Sequence, residues 1–185
     1  MSTTYEERRS AAIAILRESA EEAHLEVQGA SGREIRSLEE QLGFPLPSDL
    51  KEWLSICNGA MLGTGGLYGV STGDDRLEIV EYLEFFPEWR QSRWVPVASD
   101  GCGNHYVIAG CIPHGNENPV LFIDSHSLSY ATALVASNLW SFIRFYLLKG
   151  QRETSWPCGK CEVLRMDPEI EELSERICVP LPWEA

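Results

Sequence analysis

Apolar residues recur through the first third of the chain at the three-to-four spacing of amphipathic helices. Ile13, Leu16, Ala20 and Ala23 stand among Glu and Arg and predict a helix over residues 5–26, broken by Gly29-Ala30-Ser31-Gly32. Ser31 and Glu34 then match a capping box, in which each residue's side chain accepts the other's backbone amide. The helix they open carries the stripe Ile35, Leu38 and Leu42 and stops at Gly43. Phe44-Pro45-Leu46-Pro47 cannot continue it, because proline lacks an amide donor and clashes with the preceding turn. Ser48 is the expected cap of a third helix, with Leu50, Trp53, Leu54 and Cys57 on one face and Asn58-Gly59 at its end. Residues 61–66 read as a glycine-rich loop, 67–70 as a short strand and 71–76 as a polar turn. Ile79, Leu83 and Phe86 return to helical spacing, which Pro87 ends.

The period then changes. Four short β-type runs (94–98, 106–109, 120–123 and 130–135) alternate with turns rich in Gly, Asn and Asp, and predict an antiparallel meander. Helical spacing resumes with Leu139, Phe142, Ile143, Tyr146 and Leu147 behind a Ser137 cap. After a short Val163-Leu164 run it resumes again with Ile170, Leu173 and Ile177, where Asp167 is the expected cap and Pro168 the first helical residue. Helices, then sheet, then helices predict an α+β fold, with a central, mostly antiparallel sheet flanked by N- and C-terminal helices. The 185 residues suit a single domain. It divides into an N-terminal helix at 1–30, a core at 31–150 and a C-terminal extension at 151–185 packed on the same domain.

Charge narrows the function. Lys and Arg number 15 against 28 Asp and Glu, a net charge of -13, and residues 94–143 hold no Lys or Arg. Nucleic-acid binders cluster cations against phosphates, so the pattern argues against direct nucleic-acid binding and against docking on anionic lipid. It favours solubility and basic partners. No apolar run approaches the roughly 20 residues of a membrane span. The opening residues lack the basic-then-apolar plan of a signal peptide, and the expected location is the cytoplasm.

Candidate chemistry is sparse. The six cysteines (57, 102, 111, 158, 161 and 178) read as free thiols, with Cys57 and Cys178 as small core residues. Cys158-Gly-Lys-Cys161 is half of a zinc knuckle, since this spacing lets two thiolates reach one metal. Cys102, Cys111, His105 and His114 are the available partners, but none forms a second C-x-x-C or an H-x₃₋₅-H pair. The expectation is therefore no metal and no cofactor, the alternative being zinc on Cys158 and Cys161 with Cys102 or Cys111. A thioredoxin-type use would need a βαβ setting that the pattern lacks. Cys102 and His105 invite a thiolate–imidazole reading, against that of a plain hairpin turn. His114, Asp124 and His126 lie in turns near strand ends, where they either converge on a site or only shape the turns. No G-x-S-x-G, H-E-x-x-H, Walker loop or dinucleotide fingerprint is present. Trp53 and Trp140 fall on apolar stripes and read as core. Trp89, Trp94, Trp156 and Trp183 sit in or beside loops, where aromatics serve recognition or seal the core.

Three blocks in order resemble a known family. The first is Glu34-Ile35, Leu38-Glu39, Leu42-Gly43, Leu46-Pro47-Ser-Asp49-Leu50, Trp53-Leu54 and Asn58-Gly59. The second is the run from Val95 to Ile108 around the Asp100-Gly-Cys-Gly-Asn104 turn. The third is Phe122-Ile-Asp124-Ser-His126 followed by the helix beyond Ser137. Together they resemble the SUKH superfamily, bacterial immunity proteins related to the yeast Smi/Knr cell-wall regulators. Asp167-Pro-Glu-Ile170 is also similar to the tail of some members, whereas tails like that around Trp156 usually lack the two cysteines.

The resemblance implies an α+β domain without catalytic activity that binds and neutralises a cognate polymorphic toxin, often a nuclease. The expected assembly is a monomer or a homodimer. The expected partner-binding face, acidic and aromatic-bearing, combines the turn residues Asp74, Asp75, Asp100, Asn104, Asp124 and His126 with Trp94. A regulatory scaffold for a non-toxin partner is the alternative.

Overall fold

The computed structural model describes residues 4–112, 117–127, 130–151 and 159–184. His114, Trp156 and Cys158 lie outside the described residues. Helix α1 (Tyr5–Glu22) opens on a Thr4/Glu7 capping box, and α2 (Gly32–Leu42) on the expected Ser31/Glu34 box. Helix α1 ends before residue 26 because its apolar stripe runs out: Leu16 and Ala20 are buried but Ala23 is exposed. Gly43, at φ 78°, closes α2 in the left-handed conformation that suits glycine. In α3 (Ser48–Ile56) Ser48 is the first helical residue rather than the cap. Pro47 precedes it and no side chain caps the helix. The expected stripe, Leu50, Trp53, Leu54 and Cys57, is fully buried.

Residues 67–70 form isolated bridges instead of a regular strand. Leu67 pairs with Ala60 and Ala98, and Gly69 with Glu78. A 3₁₀ turn at Asp75–Leu77 leads into α4 (Ile79–Phe85). Pro87 ends α4 but also starts α5 (Pro87–Gln91), where its missing donor is harmless. Strands β1 (Trp94–Ser99), β2 (His105–Ala109), β3 (Val120–Ile123) and β4 (Ala133–Ala136) form the expected antiparallel meander in the order β1-β2-β3-β4.

Every residue of β2 and β4 is buried, so both faces of the sheet are covered. On one face lies α6 (Leu139–Gln151), through Phe142 and Tyr146 against Tyr106. Helix α1 packs along α6, and Trp140 stands edge-on to Tyr5 and Trp53. On the other face Tyr82, Phe86 and Trp89 of the α4–α5 segment meet His105. The amide of Tyr68 donates to the Val97 carbonyl beside β1, and the amide of Leu134 in β4 donates to the Pro180 carbonyl.

Two expected caps have other roles. Asn138 accepts the Ser141 amide at 2.9 Å at the start of α6. Ser137, one residue earlier, gives its amide (2.7 Å) and hydroxyl (2.5 Å) to the carboxylate of Asp167. Asp167 ends α7 (Lys160–Met166), a helix that contains the Val163-Leu164 run. The last helix, α8 (Ile170–Ile177), begins only after Glu169. Cys178 also departs from expectation. It is exposed, in a left-handed cap at φ 55°, past the point where the buried stripe ends.

Candidate functional site

The turns at one end of the sheet form a single hydrogen-bonded patch. Asp100 Oδ1 accepts the amides of Cys102 (2.8 Å) and Asn104 (3.1 Å), and Oδ2 accepts Asn104 Nδ2 (2.7 Å). Asn104 Oδ1 then takes the Ser125 amide at 2.8 Å, joining the β1–β2 turn to the segment after β3. Asp124 Oδ1 accepts the His126 amide at 2.7 Å and lies 2.9 Å from His126 Nδ1. These two contacts hold the Asp124 carboxyl below its usual pKa, so it is anionic at neutral pH. The antiparallel register His105↔Ile123 brings the turns side by side.

Backbone contacts and one tyrosine hold the patch in place. A Cβ on Gly65 would lie 2.2 Å from the Gly101 nitrogen, so the glycine-rich loop and the β1–β2 turn touch main chain to main chain. The Tyr146 hydroxyl, from α6, accepts the Gly65 amide at 3.0 Å and donates toward the carbonyls of Ser99 (2.8 Å) and Gly66 (3.2 Å).

Four of the residues expected on one face (Asp100, Asn104, Asp124 and His126) therefore meet. Trp94 is half-buried at the other end of β1, opposite Ala109 and roughly 16 Å from Ser99 at the usual rise per strand residue. Asp74 is engaged inside its own turn. It caps the 3₁₀ turn through the Arg76 amide and grips the Arg76 guanidinium at 3.0 and 2.7 Å, which holds its carboxyl below the usual range. Asp75 is exposed beside it. Among the described residues, no hydrogen bond links Asp74 or Asp75 to the Asp100–Asp124 patch.

The patch borders a cleft of about 330 Å³ between the end of the sheet and the last turn of α6. Tyr106 and Phe122, a cross-strand pair with ring centroids 5.3 Å apart, line it together with Asp100 and Asp124. In the sequence both aromatics read as ordinary strand residues. Their direct pairing follows from the register, and only the register would have shown it.

His105 and Cys102 do not form a thiolate–imidazole pair. Cys102 is exposed in the turn, whereas His105 is buried among Tyr68, Tyr82, Phe86 and Trp89, with Nδ1 3.0 Å from the Tyr68 hydroxyl. Burial lowers its pKa to about 4, so it is neutral at ordinary pH. Cys111 and Cys161 are exposed free thiols. Among the described residues, no three His, Cys, Asp or Glu side chains are grouped to hold a metal ion. No described helix is long and apolar enough to cross a membrane.

The family model for SMI1/KNR4 (SUKH-1) matches residues 29–144, more than half of the chain. The chain belongs to this SUKH-1 family. The matched span runs from the Ser31 cap through α2, α3 and the whole sheet into α6, and contains the Asp100–Asp124 patch. No curated protein matches the chain. Helices α1, α7 and α8 lie outside the SUKH-1 span but are bonded to it. Arg8 of α1 pairs with Glu117, both side chains being nearly buried, and Asp167 holds Ser137. Within the span, Asn58 of the Asn-Gly pair exchanges two hydrogen bonds with the Val70 backbone, at 2.7 and 2.8 Å, fixing the loop that follows α3.

Proposed function

We propose that this SUKH-1 chain is a non-enzymatic protein-binding module, an immunity protein that docks on a basic toxin domain, often a nuclease, and neutralises it. The observation that carries the reading is the Asp100–Asn104–Asp124–His126 patch, set in residues 94–143 that hold no Lys or Arg. Such a surface draws a cationic partner to itself and complements it on contact. The carboxylates are already positioned by backbone amides, so little ordering is needed on binding. Asp74, Asp75 and Trp94 extend the contact only if the partner is broad enough to reach them.

The test is co-expression with a toxin domain encoded beside this gene, followed by co-purification and a toxicity assay. A stoichiometric complex with loss of toxicity is expected. A neighbouring toxin that neither binds nor is neutralised would overturn the reading.

A further inference from the structure

The cleft beside the acidic patch has a composition suited to one kind of side chain. Phe122 provides an aromatic floor, with the Tyr106 ring packed against it. Tyr106 is almost wholly buried, and burial raises its phenol pKa, so it stays neutral. Thr132, Ala133 and Val135 add mostly aliphatic wall. At the rim, Asp100 Oδ1 and Oδ2 are turned to its own turn, while Asp124 uses Oδ1 for His126. Asp124 Oδ2 has no hydrogen-bond partner among the described residues. Lys149 also lines the cleft, but it has an interaction of its own and is not a free cation.

An apolar stem ending in a planar cation fits all of these features. The stem packs on the aliphatic wall, the planar head lies against an aromatic ring, and its N–H groups reach a carboxylate oxygen. We propose that this cleft is an anchor pocket for a single arginine side chain presented by the protein partner. The proposal rests on the basic-partner reading above and gives it a point of attachment. At about 330 Å³ the cleft is large enough for one such side chain and too small for a folded segment.

The test uses the isolated full chain and small probes. ¹⁵N-labelled protein is titrated at low salt with Nα-acetyl-arginine methylamide, with its neutral isostere Nα-acetyl-citrulline methylamide, and with Nα-acetyl-glutamate methylamide. Saturable amide shifts confined to residues 100–104, 124–126 and 132–135 are expected with the arginine probe. Citrulline is expected to bind at least about fivefold more weakly, and Asp124→Asn to reduce the arginine response by a similar factor. Equal binding of citrulline would reduce the cleft to an apolar dent and overturn the proposal. So would preferential binding of the glutamate probe, which would make Lys149 the dominant charge, or shifts that lie elsewhere. The probe comparison on the unaltered chain decides the matter even if the variant misfolds. A chain that binds the arginine probe but no neighbouring toxin sinks the immunity reading alone. A chain that binds toxin but not the probe sinks the anchor pocket alone.

Discussion

Asp49 sits in the first turn of α3 with its carboxyl almost wholly withdrawn from water. It accepts the Leu50 amide at 2.9 Å, and Oδ2 has no hydrogen bond among the described residues. Burial raises its pKa from 3.8 to about 6, and the nearby negative charge of Glu117 adds to this. Folding therefore favours the protonated acid. The stability it contributes is complete below about pH 4 and is lost as pH rises through 6, a change of about 3 kcal/mol. Asp49→Asn should thus be more stable than the unaltered chain at pH 7 and lose that advantage by pH 4. Urea unfolding at the two pH values measures the difference, and a constant difference contradicts the argument.

His105 works in the opposite sense. Its pKa is lowered to about 4, so its contribution is complete above about 6.5 and is lost as pH falls through 4. The His105 ring resonances should show no titration between pH 8 and about pH 5. A midpoint near 6.5 would mean that the ring is open to water. Neither effect was legible in the sequence. His105 read as a turn residue and Asp49 as part of a motif, because the groups that bury them come from other parts of the chain.

At the scale of elements, the legible features were those settled within a few residues. The Ser31/Glu34 box, the α3 stripe and the first three strands depend on local spacing and form as expected, while the fourth, expected over 130–135, begins only at Ala133. Ser137 and Asp167 were misassigned as caps for the complementary reason. Each is bonded to the other across 30 positions, and a pairing of that kind leaves no periodic trace in the chain. Asp167→Ala should leave two buried Ser137 donors without their acceptor, at a cost of about 3 kcal/mol. It should also speed amide exchange throughout α7 and α8, whereas equal exchange in both proteins would show that the contact does not hold the C-terminal helices. Tyr146→Phe keeps the ring packing on Tyr106 and Phe142 but removes the hydroxyl that joins the glycine-rich loop to β1. A loss of about 2 kcal/mol is expected, with exchange broadening at Gly65 and at residues 99–104. Sharp, unshifted signals there would remove Tyr146 from the support of the acidic patch.

For the whole molecule, the net charge of -13 matters less than where the cations lie. Arg8 and Arg9 on α1 are paired with Glu117 and Glu52, and Arg76 with Asp74. Residues 94–143 add no Lys or Arg to the sheet-end patch, where, among the described residues, Asp124 meets only the exposed His126 and Lys149 of α6 lines the neighbouring cleft. Association with a basic partner should therefore slow steeply as salt is raised, while dissociation changes little, because screening acts mainly on the encounter. Stopped-flow rates across a salt series separate the two, and a salt-independent association rate would remove charge steering from the account. The sequence had grouped Trp94 with this patch. Nothing local distinguishes the two ends of a strand, and the register places Trp94 at the far one.

The contacts of Tyr68 with Val97 and of Leu134 with Pro180 have a consequence for how any partner can bind. Each occupies one main-chain hydrogen-bonding position on an outer strand of the meander and so interrupts the row of amides and carbonyls at that edge. These bonds leave less of each edge free for a partner to extend by adding a strand of its own. In the proposed mode of binding, recognition falls to side chains on the turns at the sheet end, where substitutions can change which partner is bound without disturbing the strand pairing beneath.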